Sequence, residues 1–223
     1  MSQHFLKLIQ SGSIDKVKEE LENDPSLVQY RDPQGVSALM WAVYTGQTAI
    51  RDLITKKRAE LGIVPDIFEA ASTGNEAELQ SILSKDASAA HGYSSDGWTA
   101  LHLAAAFGTP LSAGALIFRG AKVDAVSQNA QRNQPLHSAL ALGRNPSTIE
   151  LLLTHGADAN AQQTGGFTPI FSAATANRRD LAELLMIHGA NPQQANDQGK
   201  TPADFARERG HEQLAIWLEV QPK

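Results

Sequence analysis

Seven histidines and twenty-four acidic side chains are the groups on this 223-residue chain that could bind a metal or move a proton, and there is no cysteine. His102 and His137 stand 35 residues apart, and His155 and His188 stand 33 apart. Zinc sites usually draw paired ligands from positions a few residues apart, so these spacings point away from a metal centre. Asp96, Asp124 and Asp158 lie among turn-forming residues, where carboxylates cap backbone N–H groups. No two acids share an apolar setting that would raise a pKa toward acid–base work. Ser11, Ser72 and Ser172 lack the Gly-x-Ser-x-Gly pattern of a nucleophile elbow. Gly165-Gly166 is not followed by the Gly-Lys-Ser/Thr of a phosphate loop. Lys56-Lys57-Arg58, the one basic run, reads as the solvated end of a helix, where cations suit the dipole. These residues predict no catalysis, no metal and no cofactor.

The same residues take their places in a recurring frame. Gly97 to Gly108 reads as a turn glycine, a helix start at Thr99, a short helix, and a glycine to end it. Leu101, Ala104 and Ala105 fall at i, i+3 and i+4, giving one apolar face of mostly small residues. Gly108 is expected to adopt the left-handed conformation that closes a helix. Gln134-Pro135-Leu136-His137-Ser138-Ala139 leads in the same way to Gly143, Thr168-Pro169-Ile170-Phe171-Ser172-Ala173 to Asn177, and Thr201-Pro202-Ala203-Asp204-Phe205-Ala206 to Gly210. Upstream, Ser37-Ala38-Leu39-Met40-Trp41-Ala42 leads to Gly46. The last three steps between helix-ending residues are 35, 34 and 33.

A period near 33 with a Thr-Pro-Leu-His-x-Ala core resembles the ankyrin repeat. Leu151-Leu152-Leu153-Thr154-His155-Gly156-Ala157-Asp158 and Leu184-Leu185-Met186-Ile187-His188-Gly189-Ala190-Asn191 resemble that family's outer helix and exit loop. The resemblance implies an all-α solenoid of about seven helix-turn-helix units with short β-turn fingers. It also implies a structural role for His102 and His137, bonded to loop backbone and the threonine hydroxyl. The units fall near 1–31, 32–62, 63–93, 94–128, 129–162, 163–195 and 196–223, forming a single domain over 1–223. A 62-residue shift pairs Gly12 with Gly74, Gly35 with Gly97 and Leu39 with Leu101. Residues 1–62 and 63–124 therefore read as two copies of a two-repeat block, each opening with a unit that lacks a finger. A core running continuously down the stack is expected, with Leu152 and Leu185 inside it. Asn129 to Asn133 departs most from the family's glycine-containing turn.

The net charge of −5 is uneven. Residues 63–128 carry 3 basic and 7 acidic side chains, against 8 and 8 before them and 8 and 9 after. No basic stripe is offered to a phosphate backbone, so no nucleic acid partner is expected. Neither a signal-peptide pattern nor an 18-residue apolar span appears, which fits a cytoplasmic chain off the membrane. Three functions compete: a protein-binding module, an enzyme or metal protein with an unrecognised site, and a nucleic-acid binder. The resemblance favours the first, a non-catalytic monomeric adaptor or inhibitor of another protein. The surface it implies is the concavity of inner helices and turn tips. On this chain those positions include Val36, Tyr44, Trp98, Phe107, Asn133, Leu142 and Phe167, with Asp32 and Asp96 as a charged edge. Tyr44, Trp98, Phe107 and Phe167 are expected to form one aromatic band, the partner site, centred on units four to six.

Overall fold

The computed structural model describes residues 2–143 and 145–222. Fourteen α-helices form seven antiparallel pairs among them. The inner helices are α1 (Ser2–Gln10), α3 (Ala38–Tyr44), α5 (Ile67–Thr73), α7 (Ala100–Phe107), α9 (Pro135–Ser138), α11 (Pro169–Thr175) and α13 (Pro202–Glu208). Their outer partners are α2 (Ile14–Asn23), α4 (Thr48–Glu60), α6 (Glu76–Lys85), α8 (Pro110–Phe118), α10 (Pro146–Thr154), α12 (Arg179–Ile187) and α14 (Glu212–Glu219). The inner helices are short and start where the repeating frame puts a cap. Ser37 Oγ accepts from Met40 N at 3.2 Å, and Thr99 Oγ1 accepts from His102 N at 3.3 Å. Proline occupies the first helical position of α8 to α11 and of α13, apart from α12, where its missing N–H costs nothing.

Turn fingers precede α3, α7, α9, α11 and α13. Each closes on a backbone bond, from Asp32 N to Val36 O, Ser94 N to Trp98 O, Ser127 N to Asn133 O, Gln163 N to Phe167 O and Asn196 N to Lys200 O, at 2.7–3.0 Å. The last four fingers are laced together in series. Gln128 N donates to Gly97 O, Thr164 N to Gln131 O, and Asp197 N to Gly165 O. In the finger before α9 the residues 129–133 still turn tightly, because Arg132 adopts φ +48° where the family pattern has glycine. No finger precedes α5: after the turn at Gly62 the chain runs straight to the Asp66 cap. The 62-residue block is visible in the backbone too, with 3-10 turns at Pro25–Gln29 and Ala87–His91.

Three expectations fail here. The fully buried apolar side chains form two main clusters, joined only through a small third one, instead of one continuous core. One cluster gathers side chains from Phe5 to Ile54 and another from Ile67 to Leu218, Leu152 and Leu185 included. Between them lies a buried polar seam. Arg58 is 7% exposed and Glu69 fully enclosed, and Arg58 Nη1 donates to Glu69 Oε1 at 2.7 Å. Arg58 is therefore a core residue and not part of a solvated run. Ser37 Oγ donates to the same oxygen at 2.7 Å, and Asp66 N donates to Oε2 at 3.0 Å. Glu69 holds the place that a histidine fills in the next two units. The third failure is Gly108, whose φ of −84° is not left-handed. Glycine is needed there for close approach: a Cβ would strike Ala71 O, where α7 packs on α5.

Candidate partner-binding cleft

The missing finger before α5 shapes the concave side. With nothing between them, the finger before α3 meets the finger before α7, so a Cβ on Gly35 would stand 2.9 Å from Ser95 Cβ. The C-terminal end of α5 carries only small side chains, Ala70, Ala71, Ser72 and Thr73, the first three of them buried. Residues two units apart consequently touch. Tyr44 on α3 and Phe107 on α7 have ring centroids 5.6 Å apart. A third apolar cluster of Val36, Met40 and Leu103 bridges the two halves beneath them.

Above that cluster opens a cleft of about 550 Å³, within the range of ligand pockets. Trp41 and Tyr44, one helical turn apart on α3, form one wall, with centroids 6.3 Å apart and edge to face. Leu103, Ala106 and Phe107 of α7 form the floor and the second wall, and Trp98 leans in from its finger. Beyond Ser138 the inner helix widens into a π-helical turn, Ala139–Gly143, which carries Leu142 to the mouth. Leu142 is 58% exposed. π-turns recur at functional sites.

Both acids at the edge are engaged within the chain. Asp32 Oδ1 accepts from Gln34 N and Val36 N at 2.9 Å, and Oδ2 accepts from Trp41 Nε1 at 2.8 Å. Asp96 Oδ1 accepts from Ser94 Oγ at 2.6 Å, and Oδ2 accepts from the Tyr44 hydroxyl at 2.7 Å. Burial, followed by the bond to Asp96 and its charge, pushes the Tyr44 phenol far above the ordinary tyrosine range. Beneath Trp98, at 5.5 Å between centroids, lies His102. Burial lowers its pKa from 6.5 to about 4, so it is neutral at physiological pH. Its Nδ1 accepts from Thr99 Oγ1 at 2.8 Å, which leaves Nε2–H to donate to Asn133 O at 3.0 Å. His137 reaches Phe167 O in the same way at 3.3 Å. Both histidines brace a neighbouring finger, as the resemblance implies. His155 and His188 are exposed at outer-helix ends. Among the described residues no three acidic or histidine side chains gather as a metal site would require.

Seven of the nine anticipated residues, namely Asp32, Val36, Tyr44, Asp96, Trp98, Phe107 and Leu142, line this one cleft. Two do not. Asn133 is 7% exposed, because its backbone receives the His102 proton and its amide donates to Ser138 Oγ at 3.4 Å, drawing it into the finger base. Phe167 belongs to a separate group with Phe171 and Phe205, each pair of rings edge to face at 5.3–5.4 Å. The aromatic band is therefore two clusters, and the cleft lies chiefly on units two and four instead of four to six, because unit three has no finger to separate them. Trp41, Leu103 and Ser138 also line the cleft, although they stand neither beside a turn glycine nor at the end of an inner helix, the positions from which the sequence reading picks its residues. All three occupy the fourth position after a helix cap (Ser37, Thr99, Gln134), and that shared offset was the available signal.

This architecture is that of a stacked-repeat recognition module. A profile of ankyrin repeats in three copies matches residues 67–163 and 136–219, and the chain belongs to the ankyrin-repeat family. That family provides protein–protein interaction modules and is generally non-catalytic. The chain is also 37% identical over 79 residues to the B-cell lymphoma 3 protein homolog of Mus musculus, an ankyrin-repeat protein. That alignment covers 35% of this chain and 17% of the mouse protein. Among the described residues no helix is long and apolar enough to cross a membrane.

Proposed function

We propose that this chain is a non-catalytic adaptor or inhibitor that docks one partner protein in the cleft between α3 and α7. In this reading it acts as a monomer in the cytoplasm, a single domain over 1–223 built of the seven units given above, with no nucleic-acid partner. The observation that carries it is the gathering of Trp41, Tyr44, Trp98 and Phe107, all half-buried, around one open cleft. Aromatic side chains bury ~150–250 Å² each and dominate binding hot spots. A monomeric repeat protein gains little from leaving four of them part-exposed unless something covers them.

The test compares affinity purifications from the native cell with the wild-type chain and with Trp98→Ala/Phe107→Ala. A partner held by the first and lost by the second, with helical circular dichroism retained, is the expected result. With that partner purified, the double variant should bind about tenfold or more weakly, ~1.4 kcal/mol. Affinity that survives the pair and falls on changing the outer-face residues Arg51 and Glu150 overturns the reading.

A further inference from the structure

We propose that the cleft takes a cationic side chain, arginine ahead of lysine, from an extended basic segment of the partner. This deepens the docking reading above and rests on it. Three features of the cleft point the same way.

The first is charge. Two carboxylates line the cleft, and no basic side chain does among the described residues. The ion pairs among the described residues all use other acids, so neither Asp32 nor Asp96 has a cation within 4 Å. His102, the remaining titratable neighbour, is neutral. Among the described residues the pocket thus carries two negative charges beside low-polarity walls and no counter-charge.

The second is the orientation of the rings. Trp41 and Tyr44 give their only N–H and O–H to those same carboxylates. What remains for an occupant is ring face, which attracts cations through its quadrupole. Donating to an anion also pushes electron density back into each ring and strengthens that attraction. The acids therefore aim the rings, and the rings hold the acids at the rim.

The third is room and shape. About 550 Å³ exceeds what one side chain fills, so flanking residues of the segment must cover the apolar end at Val36, Ala106 and Leu142. A flat guanidinium stacks on aromatic faces and spreads several N–H donors toward a carboxylate beside them. An ammonium can do the first less well and the second only as a point charge.

The experiment uses the immobilised full chain and a library of acetylated decapeptides, randomised except for one central position fixed in turn as each residue type, citrulline included. Peptides with central arginine or lysine should be retained about five- to tenfold over those with citrulline, which keeps the shape and lacks the charge. Gln34→Lys places a basic residue at an exposed position on the cleft lining and should abolish that preference without disturbing the fold. Trp98→Ala/Phe107→Ala removes the second wall while keeping both carboxylates and should weaken retention of the whole peptide, which separates cleft docking from a general attraction to an acidic protein. Apolar residues preferred at the fixed position, with citrulline equal to arginine, overturn the cationic inference and leave cleft docking standing. Retention that none of these variants alters sinks both.

Discussion

The Tyr44 hydroxyl donates to Asp96 at 2.7 Å across 52 residues of sequence, tying α3 to the finger of α7 over a unit that has no finger. The bond is charge-assisted and part-buried, so it should contribute to stability beyond the packing of the ring. A double-mutant cycle of Tyr44→Phe and Asp96→Asn, followed by urea unfolding, should return a coupling of about 1–2 kcal/mol. Additive effects of the two substitutions would show that the contact holds nothing together.

Arg58 and Glu69 are enclosed in the seam between the two apolar clusters. Removing one partner strands the other charge, so Arg58→Met should cost ~3–5 kcal/mol. The acid side has a signature as well. Burial alone would raise the Glu69 carboxyl, but the Arg58 hydrogen bond and charge, with Ser37 and the Asp66 N–H, outweigh it and leave the pKa below 4.5. Its stabilisation is thus fully present above about pH 4.5 and is lost as pH falls through the folded value. Glu69→Gln should flatten the melting temperature against pH in that acid window.

His102 acts in a different window. Its folded pKa of about 4 lies below the 6.5 of the free side chain, so the unfolded chain takes up the proton first. Stability should therefore fall as pH drops from about 6.5 to 4, by up to about 3 kcal/mol for this group. His137 is shifted in the same direction by burial and adds to the loss. Chemical unfolding at pH 7.5 and pH 5 should show the difference, and His102→Asn should reduce it. An unchanged difference would mean that His102 takes up its proton alike in the folded and unfolded chain.

Two helix-ending glycines should respond oppositely to their neighbours. At Gly210, φ is +79° and nothing lies within 4 Å, so Gly210→Ala carries only the left-handed penalty of ~1–2 kcal/mol. At Gly108 φ is −84°, so no left-handed penalty applies, but a Cβ would strike Ala71 O, and Gly108→Ala must push α7 off α5. Overpacking of that kind costs ~1–3 kcal/mol or more. Urea midpoints should rank Gly108→Ala as the more damaging. Gly108→Ala should also weaken cleft binding, because α7 carries Leu103 and Phe107.

The helices, fingers and most of the cleft could be read from the sequence because each depends on local rules repeated at a 33-residue period. Thr99, Thr168 and Thr201 announce their helices without reference to anything distant. Arg58 could not be placed this way. Its partner is Glu69, and only the missing finger brings the two together. Gly108 misled for a related reason: its position in the frame suggested a conformation, whereas its neighbour on α5 dictated the residue. Phe167 shares the offset of Trp98 from its cap, yet Phe171 and Phe205 claim its ring, and no period foretells which rings will pair.

The polar seam also has a mechanical meaning. A stack with an unbroken apolar spine shares a pull on its ends among all its joints. Here a buried ion pair interrupts the fully buried apolar packing between α4 and α5, and the walls of the cleft stand on opposite sides of it. The bond from Tyr44 to Asp96 and the cluster of Val36, Met40 and Leu103 carry load across that joint instead. In the proposed docking, a guest touching Trp41 and Tyr44 on one side and Trp98 and Phe107 on the other adds a further tie across it.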